Sequence, residues 1–308
     1  MASIRMQRTF QAAAHLRCPV CHASLSVQEP AALRCSKGHA YNVSSKGTVN
    51  FVPQTKPLKG YDAHFFQCRR SVVQAGLYDS LTQALIEAVS VYLQPCLSKR
   101  PVLLDAGCGE GHMAATMAQS GMFDQVLAVD LAKDAIAQCA KGDTSGAVWM
   151  VANLASLPVG DGAVDCLLNV YSPANYQEFT RVLAPGGLLI KVVPGPEHMA
   201  QLRRAVGLPA EGSRTTSEVE DLFKLRFDLV ESRLVTQTSP VPAHLLPDLL
   251  GMTPVLFDLP ESGSGAVRTV GASACDGAGA AGVSTSGTRT PALEEITIQG
   301  RVLVGRRR

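Results

Sequence analysis

Four residues near the start of the chain have the types and spacing of metal ligands: Cys18-x2-Cys21-x13-Cys35-x3-His39. CPVC and CSKGH are each tight enough to aim two donors at one point, and Pro19 and Gly38 suit such turns. Three thiolates and one imidazole complete a tetrahedral zinc shell with no position left for water, so the predicted role is structural. The segment needs that staple, because residues 18–52 are short and poor in large apolar side chains. His15 and His22 are surplus to the set and are expected at the surface.

A second constellation is VLLDAGCGEGH, which places Gly107, Gly109 and Gly111 between a strand and a helix. Glycines there let backbone approach a ligand at the carboxyl end of the first strand of an open α/β sheet. The G-x-G-x-G spacing is not the G-x-G-x-x-G of dinucleotide enzymes. Asp105, two residues before the first glycine, would repel a diphosphate and favour an ammonium or sulfonium ligand. Asp130 closes the next strand, where a carboxylate holds ribose hydroxyls, and Asn153 follows the third strand beside the expected adenine position. S-adenosylmethionine fits this pattern; NAD fits it poorly.

These residues have to be positioned by strands and helices, and the rhythm of the chain supplies them. Apolar residues three or four apart between Tyr61 and Cys96 predict helix, interrupted at Gly76. Residues 102–106, 126–130, 147–152, 164–171 and 188–193 then read as short strands separated by helical segments, which implies a parallel sheet covered on both faces. Residues 227–237 and 295–305 supply two last strands. The division expected is a flexible lead at 1–17, a zinc module at 18–52, a helical linker at 53–97 and an α/β domain at 98–308. Within that domain the Gly/Ala/Ser-rich stretch 262–292 is expected as a flexible insertion.

Charge is uneven. Residues 1–60 hold eight Lys or Arg against Glu29 alone, a balance of +7 in a chain whose total is +2. A basic module on a mildly acidic body is the footprint of a polyanion partner, with Arg17, Arg34, Lys37 and Lys46 the side chains expected to meet phosphates. No apolar run approaches the roughly 20 residues that span a bilayer. Beyond the knot, Cys68, Cys96, Cys108, Cys139, Cys166 and Cys275 are scattered, which fits reduced thiols in the cytoplasm.

The run from residue 100 to 195, with its APGGLLI turn, resembles the seven-stranded class I methyltransferases. With the Cys3His knot ahead of it, the chain resembles the bacterial family that methylates N1 of a guanine in a hairpin of large-subunit ribosomal RNA. The landmarks are GHAY, AGLY, DAGCGEGH, NVYSPANYQEFTRVLAPGG, VVPGPEHM and GMTP, in that order. The resemblance implies a class I, Rossmann-like seven-stranded sheet with a small N-terminal zinc-binding domain, using S-adenosylmethionine and one structural zinc ion. It makes Tyr78 and His198 cofactor contacts, and sets His112, Met113 and Ala114 near the amino-acid end of the cofactor. Where family members carry isoleucine-arginine-isoleucine, this chain has Leu168-Asn169-Val170. Guanine N1 carries a proton at neutral pH, so the base must be held in line with the methyl group while that proton leaves. Asn169 and Tyr171, at the end of the fourth strand, are expected to position the base. Asp105, Asn169, Tyr171 and His198 are the candidate proton acceptors. The competing expectation is a small-molecule methyltransferase with the zinc segment as a lid. A homodimer would present two basic knots to one hairpin.

Overall fold

The computed structural model describes residues 3–52, 54, 56, 58–93, 101–209, 216–254 and 293–308. The insertion expected at 262–292, with Cys275, and also Cys96, lie outside the described residues.

The first segment departs from the expected flexible lead. Ser3 caps α1 (Ile4–Ala12) by accepting from the Met6 amide, and a 3-10 turn (Ala13–His15) continues it. Arg5 holds the helix down, donating to the Ala140 and Asp143 carbonyls at 3.0 and 2.6 Å. The buried Thr9 hydroxyl donates to the Gly47 carbonyl. A cation supplied to the carbonyl end of another helix is a favourable docking contact, and Ala12 and Ala13 are small enough to be buried behind it. The knot follows as a three-stranded antiparallel sheet of β1 (Leu25–Gln28), β2 (Ala32–Cys35) and β3 (Ala40–Asn42). The chain then adds β4 (Val49–Asn50) to the edge of the main sheet, pairing Val49 with Met150 and Asn50 with Val151. A covered edge is protected from pairing with other chains.

Two helices come next, α2 (Ala63–Gln74), capped by Asp62, and α3 (Asp79–Tyr92), with Gly76 in the left-handed region between them. The alternating part runs β5 (Val102–Ala106), α4 (His112–Gln119), β6 (Gln125–Asp130), α5 (Lys133–Ala140), β7 (Val148–Val151), β8 (Val164–Val170), α6 (Tyr176–Val182) and β9 (Leu183–Pro194). The last elements are α7 (Ala200–Ala205), α8 (Thr216–Lys224), β10 (Phe227–Pro240), α9 (Leu246–Gly251) and β11 (Glu295–Arg307). The main sheet has the order β10-β11-β9-β8-β5-β6-β7-β4, with β5 to β9 parallel and β11 antiparallel to both its neighbours. Without β4 this is the seven-stranded sheet that the sequence implies.

Each face of the sheet carries its own core. Helices α3, α4 and α5 pack residues such as Leu85, Met117 and Ile136 on one face. On the other, Leu33, Tyr41 and Val43 of the zinc module share one cluster with Leu104, Leu127 and Leu167 of the sheet. The knot is therefore built onto the α/β domain. Backbone bonds reinforce the join, from Arg17 N to the Pro158 carbonyl and from Gly160 N to the His15 carbonyl.

Candidate functional site: a cofactor cavity and a zinc knot

The four predicted ligands converge. The donor atoms of Cys18, Cys21, Cys35 and His39 all lie within 4.8 Å of one another. Cys18 Sγ and Cys35 Sγ are 3.5 and 3.4 Å from His39 Nδ1, and the Cys21 and Cys35 sulfurs are 3.6 Å apart. Zinc bonds of about 2.3 Å to sulfur and 2.0–2.1 Å to nitrogen give tetrahedron edges of about 3.5–3.8 Å, so the donors fit zinc. The Tyr41 hydroxyl lies 3.1 Å from Cys18 Sγ, and its ring packs on Phe51 at 4.7 Å. Burial works against a Cys18 thiolate, but the Tyr41 hydroxyl and the Cys21 and Val20 amides outweigh it and bring the thiol down to about 6. Arg17 is not left for phosphates as expected. Its guanidinium bonds Asp161 at 2.6 Å, and Asp161 also takes Arg181 at 2.8 Å. Arg34, Lys37 and Lys46 remain exposed.

A cavity of 450 Å³ opens at the carboxyl ends of β5, β6 and β8, under α2. Its floor is the glycine loop. Gly107 has φ +88°, and a Cβ there would meet Ser172 Oγ at 2.1 Å, so only glycine lets the loop pass beneath the end of β8. Asp130 is aimed by two amides, Gly109 N to Oδ2 and Ala132 N to Oδ1, both at 2.9 Å. Asp105 is buried, and among the described residues its Oδ2 has no hydrogen-bond partner. Burial first, then the nearby Glu110 and Asp130, push the Asp105 carboxyl up to about 8. Burial likewise raises Asp130. An orphaned carboxylate oxygen in an acidic cavity fits a ligand carrying ammonium and sulfonium charge.

Of the predicted cofactor contacts, Tyr78, Asp105, Gly107, Gly109, His112, Met113, Asp130 and Asn153 line this cavity. Gly111 and Ala114 stand behind them. A Cβ on Gly111 would meet the Trp149 ring at 2.8 Å, which makes that glycine a packing requirement. Ala114 is fully buried, and its amide serves the Asp105 carboxylate. Burial lowers the His112 imidazole, and its Nε2 meets Thr82 Oγ1 at 3.0 Å. His198 does not line the cavity: its ring packs against Tyr171 at 4.9 Å, and its Nδ1 accepts from the Gln299 amide. It supports the wall from behind.

Of the two residues expected to position the base, Asn169 is placed differently. Asn169 is fully buried, and its amide nitrogen donates to the Ala106 and Pro173 carbonyls. Its Oδ1 accepts from Lys191 Nζ at 2.6 Å, so both ends of the side chain are occupied inside the fold. Lys191 Nζ also donates to the Ser172 carbonyl at 3.1 Å, which fixes the turn after β8. Tyr171 does line the cavity, with φ +50°, but its hydroxyl donates to the Gln299 carbonyl at 3.2 Å. It offers the cavity its ring.

Sequence reasoning missed Arg69 and Glu110. Arg69 Nε bonds Glu110 Oε2 at 2.6 Å, and the guanidinium carbon sits 5.6 Å from the Tyr78 ring centre. A signal was available. Arg69 lies four residues from both Phe65 and Val73, on the buried stripe of α2, where a charge has to have a purpose.

Comparison with known proteins agrees with this architecture. Residues 104–191 match a family model described as a methyltransferase domain, and residues 16–57 match the zinc-ribbon model described as RlmA, N-terminal. A Bacillus subtilis (strain 168) protein, YxjB, named provisionally as a 23S rRNA (guanine-N(1)-)-methyltransferase, is 33% identical over 254 residues, covering 80% of this chain and 88% of that protein. A Micromonospora griseorubida protein with the same provisional name is 31% identical over 227 residues, covering 68% and 77%. The 23S rRNA (guanine(748)-N(1))-methyltransferase of Streptomyces fradiae is 28% identical over 244 residues, covering 78% and 85%. The cofactor of the α/β domain is S-adenosylmethionine, and the ribbon is a structural zinc site. Matched through both its knot and its methyltransferase domain, the chain belongs to the family of 23S rRNA (guanine-N(1)-)-methyltransferases.

Proposed function

We propose that this protein transfers a methyl group from S-adenosylmethionine to N1 of a guanine in a hairpin of large-subunit ribosomal RNA, in the cytoplasm. The observation that carries the reading is the likeness to the Bacillus subtilis relative across 80% of the chain, alongside the matches to the zinc-ribbon model at residues 16–57 and to the methyltransferase-domain model at 104–191. The geometry favours RNA over a small-molecule acceptor on one specific point. No residue of the knot is among the described residues lining the cavity, so the zinc segment does not act as its lid. It stands beside the site with Arg34, Lys37 and Lys46 exposed, where phosphates supply affinity and register. Among the described residues no helix is long and apolar enough to cross a membrane.

Bound S-adenosylmethionine supplies an electrophilic methyl group on a sulfonium centre. Asp105 would hold its cationic amino-acid end, Asp130 its ribose and Asn153 its adenine. The Tyr171 ring, with Ser172 and Pro173, forms the wall against which the guanine is held. A paired guanine hides N1, so the target is a loop nucleotide or one turned out of its stack. The N1 proton has to leave, and the end of β8 offers no side chain to take it. Asn169 is occupied, burial keeps the Tyr171 phenol protonated, and His198 is held behind the wall. Asp105, the remaining candidate, is committed to the cofactor, so the proton leaves to bulk solvent. Two copies would present two knots to one hairpin, and light scattering of the protein with RNA reads whether they do.

The test is nucleoside mass spectrometry of protein-free 23S rRNA incubated with the full chain and cofactor. Cofactor-dependent 1-methylguanosine supports the reading. Cofactor binding without any methylated guanosine would move the acceptor to a small molecule.

A further inference from the structure

The cavity is acidic, and one member of its lining is out of character. Asp105, Glu110 and Asp130 face it with three carboxyl groups, while Arg69 is the one permanent cation among the described lining residues. The other basic group there, His112, is held neutral by burial. A cation placed on the buried stripe of α2, among Phe65, Phe66 and Val73, gives up solvation that a single ion pair recovers in part. Arg69 is only 21% exposed and Glu110 7%.

The ion pair uses Nε alone, at 2.6 Å from Glu110 Oε2. The terminal NH2 groups, in the fork geometry that grips a carboxylate, are not spent on Glu110. The guanidinium carbon sits 5.6 Å from the Tyr78 ring centre, at the cavity wall. Arg69 Nε is also 3.8 Å from the place a Cβ on Gly109 would occupy, so the guanidinium hangs over the glycine loop. Arg70 secures the arrangement from the next position, donating to the Glu110 carbonyl at 3.1 Å and the Gln138 carbonyl at 2.9 Å. Helix α2 and the loop are thus fastened together, with Arg69 held in a fixed direction.

Resting on the reading of this cavity as the S-adenosylmethionine site, we propose that Arg69 binds the α-carboxylate of the cofactor, oriented by Glu110. The amino-acid end of S-adenosylmethionine carries an ammonium and a carboxylate on one carbon. Asp105, with its unpartnered Oδ2 below the loop, is matched to the first, and Arg69 above the loop to the second. Without Arg69 the cofactor carboxylate would enter a site lined by three carboxyl groups. Arg69 and Asp105 together make the site specific for a zwitterionic end, where a carboxylate alone would accept any amine.

Decarboxylated S-adenosylmethionine keeps the sulfonium and the amine and lacks the carboxylate, so it isolates this contact. Calorimetric titration of the full chain is expected to give roughly 10- to 150-fold tighter binding of S-adenosylmethionine than of the decarboxylated form, the range for a charge-assisted pair. Arg69→Met should bring the two ligands within about threefold by weakening only the first. The double variant Arg69→Met with Glu110→Gln removes the carboxylate left unpaired, and it should behave in the same way. Equal binding of the two ligands by the unaltered protein overturns the proposal without any variant. Preference for the carboxylate form retained in both variants overturns it too. If the unaltered protein binds neither ligand, the cofactor reading falls and the proposal falls with it.

Discussion

Replacing Gly107 by alanine separates two costs that a glycine can hide. At φ +88° any L-residue is strained, by about 1–2 kcal/mol. Gly121, at φ +72° with none of the described residues within 4 Å of a built Cβ, pays that cost alone. At Gly107 the new methyl carbon would lie 2.1 Å from Ser172 Oγ and 2.6 Å from Ser172 Cβ. The hydroxyl can rotate away, but the Cβ cannot, because the Ser172 carbonyl is held by Lys191 and the preceding strand by Asn169. Forcing a carbon into packed surroundings costs a further ~1–3 kcal/mol. Gly107→Ala should therefore lose about 2–5 kcal/mol against about 1–2 kcal/mol for Gly121→Ala. The one tryptophan, Trp149, is buried in β7 and reports unfolding of the sheet in urea. Calorimetry with S-adenosylmethionine gives the second readout: Gly107→Ala should bind at least tenfold more weakly, and Gly121→Ala like the unaltered protein. If the two variants match in urea midpoint and in cofactor affinity, the close approach of loop and strand is not what the glycine serves.

Asp105 gives a pH signature. Its native carboxyl titrates at about 8 against 3.8 ordinarily, so the folded state holds the extra proton and stability falls as pH rises across that window. Asp105→Asn should raise the urea midpoint at pH 8, leave it unchanged near pH 4 and abolish cofactor binding; a lower midpoint at pH 8 contradicts this. At pH 7 the unaltered protein should release a proton on binding cofactor, seen as a binding heat that varies with buffer ionisation enthalpy. Tyr41→Phe removes the hydroxyl from Cys18 Sγ and should loosen zinc about 10- to 100-fold against a chromogenic chelator, with cofactor affinity preserved. Affinity for a hairpin RNA should fall with salt. Lys37→Ala or Arg34→Ala should reduce the log–log slope by up to about 0.7–0.9 each, and Arg17→Ala, whose charge is spent on Asp161, should leave the slope unchanged.

Seven strands of the main sheet and the break at Gly76 were legible, because apolar runs bounded by glycine and proline leave few alternatives; the two-residue edge strand β4 was not. The zinc ligands were legible too, since only their spacing matters. The direction of Asn169 was not. Along a strand buried on both faces the apolar pattern carries no alternation, so nothing tells which side chains point to the crevice. Tyr171 escapes for a related reason: its positive φ rotates it out of the strand, and no local residue type announces that. Helix α1 leaves no apolar periodicity to read, because it is short and polar on balance. Its anchors are the Ala140, Asp143 and Gly47 carbonyls, far along the chain or in a turn. Arg17 illustrates a general weakness of charge counting. A cation beside a basic patch counts toward the patch until its partner, here Asp161, is found 144 residues away.

The account stands most directly on the position of the new methyl group. A methyl on guanine N1 blocks Watson–Crick pairing, so primer extension on protein-free 23S rRNA reads it as a stop. After incubation with the full chain and S-adenosylmethionine, one new stop is expected at a hairpin guanine. It should be absent without cofactor, and absent for Asp105→Asn. A protein that binds the cofactor in this cavity yet leaves no stop in the rRNA would contradict the account.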